Sequence, residues 1–132
     1  MSDHTILPER RYLHIQADLI EVCPMPDEPQ CCRVAYRITM TNAGKLGLRM
    51  LGRKWIIHHA DDTLHIIEAE HVFGSAPLLM PGEVFSFGGY RNFKQSPERM
   101  ELRIFGVDQM LVPFVSLPCI FPKKSLRISP AG

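Results

Sequence analysis

No apolar run in this sequence approaches the ~20 residues that a membrane-spanning helix needs. The first residues, with His4, Pro8 and Glu9, contain no apolar stretch of the kind a secretory leader carries. The chain is therefore expected to stay in the cytoplasm, with no membrane partner. An excess of one charge is also missing. The formal net charge is +1, too small for a global field that would draw the protein to nucleic acid, so no nucleic-acid partner is expected. The four cysteines, Cys23, Cys31, Cys32 and Cys119, contain no Cys-x-x-Cys pair, and no histidine stands at zinc-finger spacing from them. Cys31 and Cys32 are adjacent, so in a strand they would point to opposite faces. They read as reduced thiols, one packed and one partly exposed. Nor is there a Gly-x-Ser-x-Gly elbow around Ser75, Ser86, Ser96, Ser116 or Ser125. The acidic pairs Asp27-Glu28 and Asp61-Asp62 read as loop and turn charge. No catalytic residue and no cofactor is assigned on these grounds, and the expectation is a protein that is not an enzyme.

What is present is an apolar content of 45% with 22% charged residues, ordinary for a globular protein and too apolar for disorder. Eleven prolines and nine glycines are scattered along the length, leaving little room for helices. Cys32, Val34, Tyr36, Ile38 and Met40 alternate with Arg33, Arg37, Thr39 and Thr41, the period-two signal of a half-buried strand. Asn42-Ala43-Gly44 follows as a turn, because Asn and Gly tolerate positive φ. Leu13, Ile15, Ala17 and Leu19 predict an earlier strand ahead of a loop from Pro24 to Pro29. Further strands are expected at Val84–Phe87, Met100–Phe105 and Met110–Val115. Seven to eight short strands separated by turn residues predict an all-β, antiparallel sandwich of immunoglobulin or fibronectin type III character. Residues 1–132 are read as one domain, with 1–10 and 122–132 as terminal extensions, the latter as a basic solvated tail in preference to a terminal edge strand.

Leu48–His59 and Thr63–Glu68 form the next predicted hairpin, with Asp61-Asp62 as its two central turn residues. That register sets Ile57 opposite Ile66, Trp55 opposite Glu68 and His58 opposite His65. It turns Trp55, Ile57, Leu64 and Ile66 inward and His58 and His65 outward. Two imidazoles so placed could share one metal ion, but a good site wants a third ligand. A solvated outer face is the favoured reading, so no metal is assigned and His58 and His65 are kept only as a secondary pair.

Several ordered pieces run from Arg33 to Val115. They are the alternating strand, Asn42-Ala43-Gly44, Arg53-x-Trp55-Ile56-Ile57, Gly74-x-x-Pro77-x-Leu79-x-Pro81-Gly82-x-x-Phe85, Met100-Glu101 and Val112-Pro113-x-Val115. As a set they resemble the ApaG domain family, a domain of unknown function, in a divergent form. The resemblance implies a fibronectin-like sandwich that stands alone in bacteria. The same domain occurs in eukaryotic F-box proteins and in a DNA-polymerase-delta-interacting protein, with no established enzymatic activity. Members of that family carry a Gly-x-Gly-Val-Val-Gly run associated with phosphate or pyrophosphate. Here the corresponding residues are Ala69-Glu70-His71-Val72-Phe73-Gly74, so only Gly74 of the glycines remains and Glu70 adds negative charge. The histidine that the family places before the tryptophan is Lys54 in this chain.

The function expected from this combination is a binding module for a protein or peptide partner. The alternatives are a small-ligand module for phosphate-containing metabolites or a divalent metal, and a weak phosphoanhydride hydrolase; a homo-oligomer is left open. Arg53 is a candidate contact, since a guanidinium suits bidentate pairing with carboxylate or phosphate. It is weighed against a structural ion pair or a stacked edge residue. Two predicted loops complete the candidate set. Ala69–Ser75 carries His71 and Gly74, and Gly88–Ser96 carries Tyr90, Arg91, Phe93 and Lys94, an aromatic and cationic loop that suits an interface, weighed against a surface loop with its aromatics folded under. Trp55 is assigned to the core.

Overall fold

The alternating run around Tyr36 is the middle of a fifteen-residue strand, and the rest of the sandwich assembles on it. The computed structural model describes residues 9–10, 12–70 and 76–127. The strands are β1 (Glu9–Arg10), β2 (Leu13–Met25), β3 (Glu28–Asn42), β4 (Leu48–His58), β5 (Leu64–Glu70), β6 (Leu78–Leu79), β7 (Val84–Phe93), β8 (Arg99–Asp108), β9 (Pro113–Ser116) and β10 (Cys119–Phe121). A 3-10 turn follows over Lys123–Leu126. The larger sheet has the order β1-β9-β8-β4-β5, with β10 also on β8 and β6 also on β4; the smaller sheet is β2-β3-β7. All pairings are antiparallel except the short β1–β9 contact. The fold is an all-β sandwich, as expected.

The inner faces meet around Trp55. Its ring centroid lies 5.0 Å from that of Tyr36 and 5.4 Å from that of Phe121, the latter edge to face. Val34, Ile38 and Met40 of the small sheet and Ile57, Leu102 and Ile104 of the large one fill the same layer, all fully buried. Across the small sheet Gly89 stands opposite Tyr36, where a Cβ would lie 2.7 Å from the tyrosine oxygen. The ring occupies the space that a side chain would need.

Five expectations are corrected. In β2 the register shifts between Ala17 and Leu19. That bulge turns Leu19 outward and hands the inner face to Ile20 and Val22. The strands also run through most of the predicted Pro24–Pro29 loop, leaving a tight turn at Pro26-Asp27.

The β4–β5 hairpin is shifted by one residue. Trp55 pairs with Ile67, Ile56 with Ile66, Ile57 with His65 and His58 with Leu64. The connection holds three residues, not two: the Asp62 N–H donates to His59 O at 3.1 Å and the His59 N–H to Thr63 O at 3.0 Å. Asp62 takes a left-handed φ of 66°. This is the three-residue hairpin loop that ends in a left-handed bulge. Since side chains alternate, one extra residue turns all of β5 over. Leu64 and Ile66 therefore stand outward, 58% and 53% exposed.

Asn42-Ala43-Gly44 does turn the chain, but not through positive φ, which neither Asn42 nor Gly44 adopts. The buried Asn42 amide donates to Leu46 O and Leu79 O, and its oxygen accepts the Gly44 N–H at 2.9 Å. Gly44 is needed because the Tyr12 ring covers it, 2.3 Å from where a Cβ would stand.

The stretch read as a solvated tail is packed as far as it is described. Leu126 is buried in the core, its carbonyl accepts from the Ser96 hydroxyl, and Lys123 pairs with Glu98 at 3.0 Å.

Candidate functional site

The two sides of the sandwich differ in closure. On one side β10 and the 3-10 turn pack against β2. On the other, β5 ends the large sheet and β7 ends the small one, and the two do not pair with each other. Side chains pointing inward from these two strands line the seam between them.

The β3–β7 register assigns each residue of β7 to a face. Met40 pairs with Phe85, Ile38 with Phe87, Tyr36 with Gly89, Val34 with Arg91 and Cys32 with Phe93. Because Cys32, Val34, Tyr36, Ile38 and Met40 face the core, Phe85, Phe87, Gly89, Arg91 and Phe93 face inward too. From β5, His65, Ile67 and Ala69 share the inner face with Trp55, Ile57 and Arg53 of β4. His59, His65, Phe93 and Lys94 line one shallow groove at the end of the seam.

The expected loop Gly88–Ser96 is mostly strand, since β7 continues to Phe93. Tyr90, Arg91 and Phe93 are therefore divided. Arg91 and Phe93 point into the seam. Tyr90 stands on the outer face, 59% exposed, with the Arg33 guanidinium 4.3 Å above its ring. Arg33 Nε also donates to Asn92 Oδ1 at 2.9 Å. The pair Gly88-Gly89 is loop-like in composition. Those glycines instead serve the approach to Tyr36 described above.

Arg53 has no ion pair among the described residues. Its guanidinium lies 5.6 Å from the Phe87 ring centroid, across from the other sheet. Arg91 has its Nε buried with no acceptor. Two guanidinium groups thus enter the seam, with no described carboxylate paired to either. Glu68 and Glu70, the acids of β5, point to the opposite face, where Glu68 meets Lys54 at 3.4 Å.

The secondary histidine pair is not formed. The one-residue shift leaves His58 on the outer face opposite Leu64 and sends His65 to the inner face opposite Ile57. His58 instead has Nε2 3.4 Å from Glu101, which also takes Arg99 at 2.6 Å. Among the described residues no three His, Cys, Asp or Glu side chains group as a metal site. His71 and Gly74 lie outside the described residues.

All four cysteines are free thiols. Both Cys31 and Cys32 are buried, correcting the expectation that one is partly exposed. Hydrogen bonds to Glu21 and Glu28 push the Cys23 and Cys31 thiols up, and burial does the same to Cys32 and Cys119. A raised thiol is a poor nucleophile at neutral pH.

The sequence model of the ApaG domain matches residues 26–103. Protein ApaG of Yersinia pseudotuberculosis is 29% identical over 75 residues, covering 57% of this chain and 59% of that protein. Protein ApaG of Thiobacillus denitrificans is 40% identical over 53 residues, covering 40% of this chain and 42% of that protein. The chain thus spans about three fifths of the length of the first of these curated relatives and less of the second. Among solved structures, the ApaA protein from Bordetella pertussis superimposes with a TM-score of 0.73 at 24% identity, covering 95% of this chain and 100% of that one. A second structural-genomics target gives 0.72 at 16% identity, covering 92% and 94%. These structural likenesses bear on the fold alone.

Proposed function

We propose, from the premise that the chain belongs to the ApaG domain family, that it is a non-enzymatic binding module that docks an extended segment of a protein partner along the free edge of β7. The supporting observation is that edge itself. Ten residues of β7 stay in one unbroken register with β3, and no described strand takes the other side. A row of unpaired backbone N–H and C=O groups is a template for a further strand. Natural edges are usually blunted by bulges, prolines, lysines or a covering element. The edge of β2 has its bulge at Asp18, Pro24 within the strand, and β10 packed beside it. β7 contains no proline and no lysine, and its one charge, Arg91, points inward.

Selection of displayed random peptides on the immobilised protein, followed by amide chemical-shift mapping, tests this reading. Selected peptides should perturb the amides of Val84–Phe93 as a continuous stretch. Failure to select any peptide, or a footprint elsewhere on the sandwich, would overturn it.

A further inference from the structure

Among the described residues, the charged side chains that point into the seam beside that edge are cationic. Arg91 points into it from β7 and Arg53 reaches it from β4, stacked on Phe87. His65 and Lys94 line its end with Phe93. The inner faces of β5 and β7 contribute no acid: Glu68 and Glu70 take the outward positions of β5. Arg91 Nε, moreover, is a buried donor without an acceptor. Leaving such a group unpaired is costly, and a carboxylate is the acceptor a guanidinium pairs with best.

We infer that the seam selects an extended peptide whose inward side chains read acid, large apolar, acid at alternate positions. This rests on the edge-docking reading of β7 and deepens it. A strand added to β7 continues the small sheet, so its residues opposite Arg91, Gly89 and Phe87 also turn inward. Opposite Arg91 stands a carboxylate, which supplies the missing acceptor. Gly89 itself has no side chain and is covered by the Tyr36 ring, so the residue opposite it meets an aromatic surface that suits a large apolar side chain. Opposite Phe87 a second carboxylate comes within the reach of Arg53. The outward residues of the peptide lie beside Ser86, Gly88 and Tyr90 and are free to vary.

The test uses the whole chain and three synthetic peptides of about seven residues. Threonine alternates in each with glutamate-leucine-glutamate, glutamine-leucine-glutamine or lysine-leucine-lysine, and binding is read by fluorescence polarisation. The glutamate peptide should bind about tenfold more tightly than the glutamine peptide and weaken as salt is raised. Arg91→Gln should remove most of that preference, Arg91→Lys should restore part of it, and Arg91→Glu should turn it toward the lysine peptide. Unchanged circular dichroism and melting temperature separate a lost contact from a lost fold. Equal affinity for all three peptides would overturn the charge selection while leaving edge docking intact. A preference that survives Arg91→Glu, or no binding of the glutamate peptide when library-selected peptides do bind β7, would also overturn it.

Discussion

Ile56 stands directly opposite Ile66 on the outer face of the large sheet, and this pairing depends on the left-handed conformation of Asp62 at the hairpin tip. Asp tolerates that conformation better than most residues, but still less well than glycine. Asp62→Gly is expected to raise stability by about 0.5 kcal/mol, and Asp62→Val to lower it by about 1 kcal/mol. Urea-unfolding midpoints measure both. A destabilised glycine variant would mean that the loop geometry is not what sets the register.

The same tip carries a pH signature. Asp61 Oδ1 accepts the Thr63 hydroxyl at 2.6 Å and the Thr63 N–H at 3.1 Å, and these bonds hold its carboxyl below the usual carboxylate range. A carboxyl depressed by folding contributes stability above its unfolded pKa and loses it as pH falls through the folded value. The stability gap between the native chain and Asp61→Asn should therefore be widest above the ordinary aspartate range and close as the pH falls through the lower, folded value. Paired unfolding curves across that range check it. A gap that stays constant through the acid range would contradict the assigned bonds.

Much of the sandwich was legible because alternation is a local signal. Cys32, Val34, Tyr36, Ile38 and Met40, with Trp55 and Ile57, all face the core as their pattern requires. What the pattern could not supply was the count of residues at a turn or bulge. The extra residue in the β4–β5 loop, and the extra one at Asp18, each reversed every assignment beyond it. The candidate site suffered from a second ambiguity. Gly88-Gly89 reads as a loop by composition, yet its glycines make room for a tyrosine one strand away, a contact between residues far apart in sequence. The grouping of Tyr90 with Arg91 failed for the same reason, since strand neighbours point to opposite faces. The two free edges were beyond local reading, because which strands end a sheet is set by the whole topology.

Asn42 ties three segments together. Its amide bonds Leu46 O at 2.8 Å and Leu79 O at 2.9 Å, and its oxygen takes the Gly44 N–H. Its own backbone meets Glu83 O and Gly82 N. Asn42→Ala would leave three backbone groups without these partners, Leu79 O in a buried setting and the other two partly buried, a loss of about 3 kcal/mol. Asn42→Asp should be comparably damaging despite its shape, because it removes both donors and buries a charge. Thermal unfolding monitored by circular dichroism measures both. A loss under about 1 kcal/mol in either would show that water replaces the amide at no great cost.

The β8–β9 hairpin repeats the three-residue design with a less suitable residue. Leu111 has φ 64° and is 79% exposed. Asp108 holds it there: its Oδ1 accepts Met110 N–H at 2.8 Å and Val112 N–H at 3.0 Å, while its backbone pairs with Val112 O and Leu111 N. Left-handed backbone costs a branched L-residue about 1–2 kcal/mol, and glycine returns part of that gain through its freer unfolded chain. Leu111→Gly should therefore stabilise the protein by about 0.5–1 kcal/mol. Asp108→Ala should destabilise it by about 2 kcal/mol, since two turn donors lose their acceptor together. If Asp108 imposes the strain, the two changes are coupled. Without its clamp the turn relaxes, and Leu111→Gly then gains less in the Asp108→Ala background than in the native one. A double-mutant cycle on urea midpoints reads this coupling. Strict additivity would mean that Leu111 holds its conformation independently of the Asp108 carboxylate.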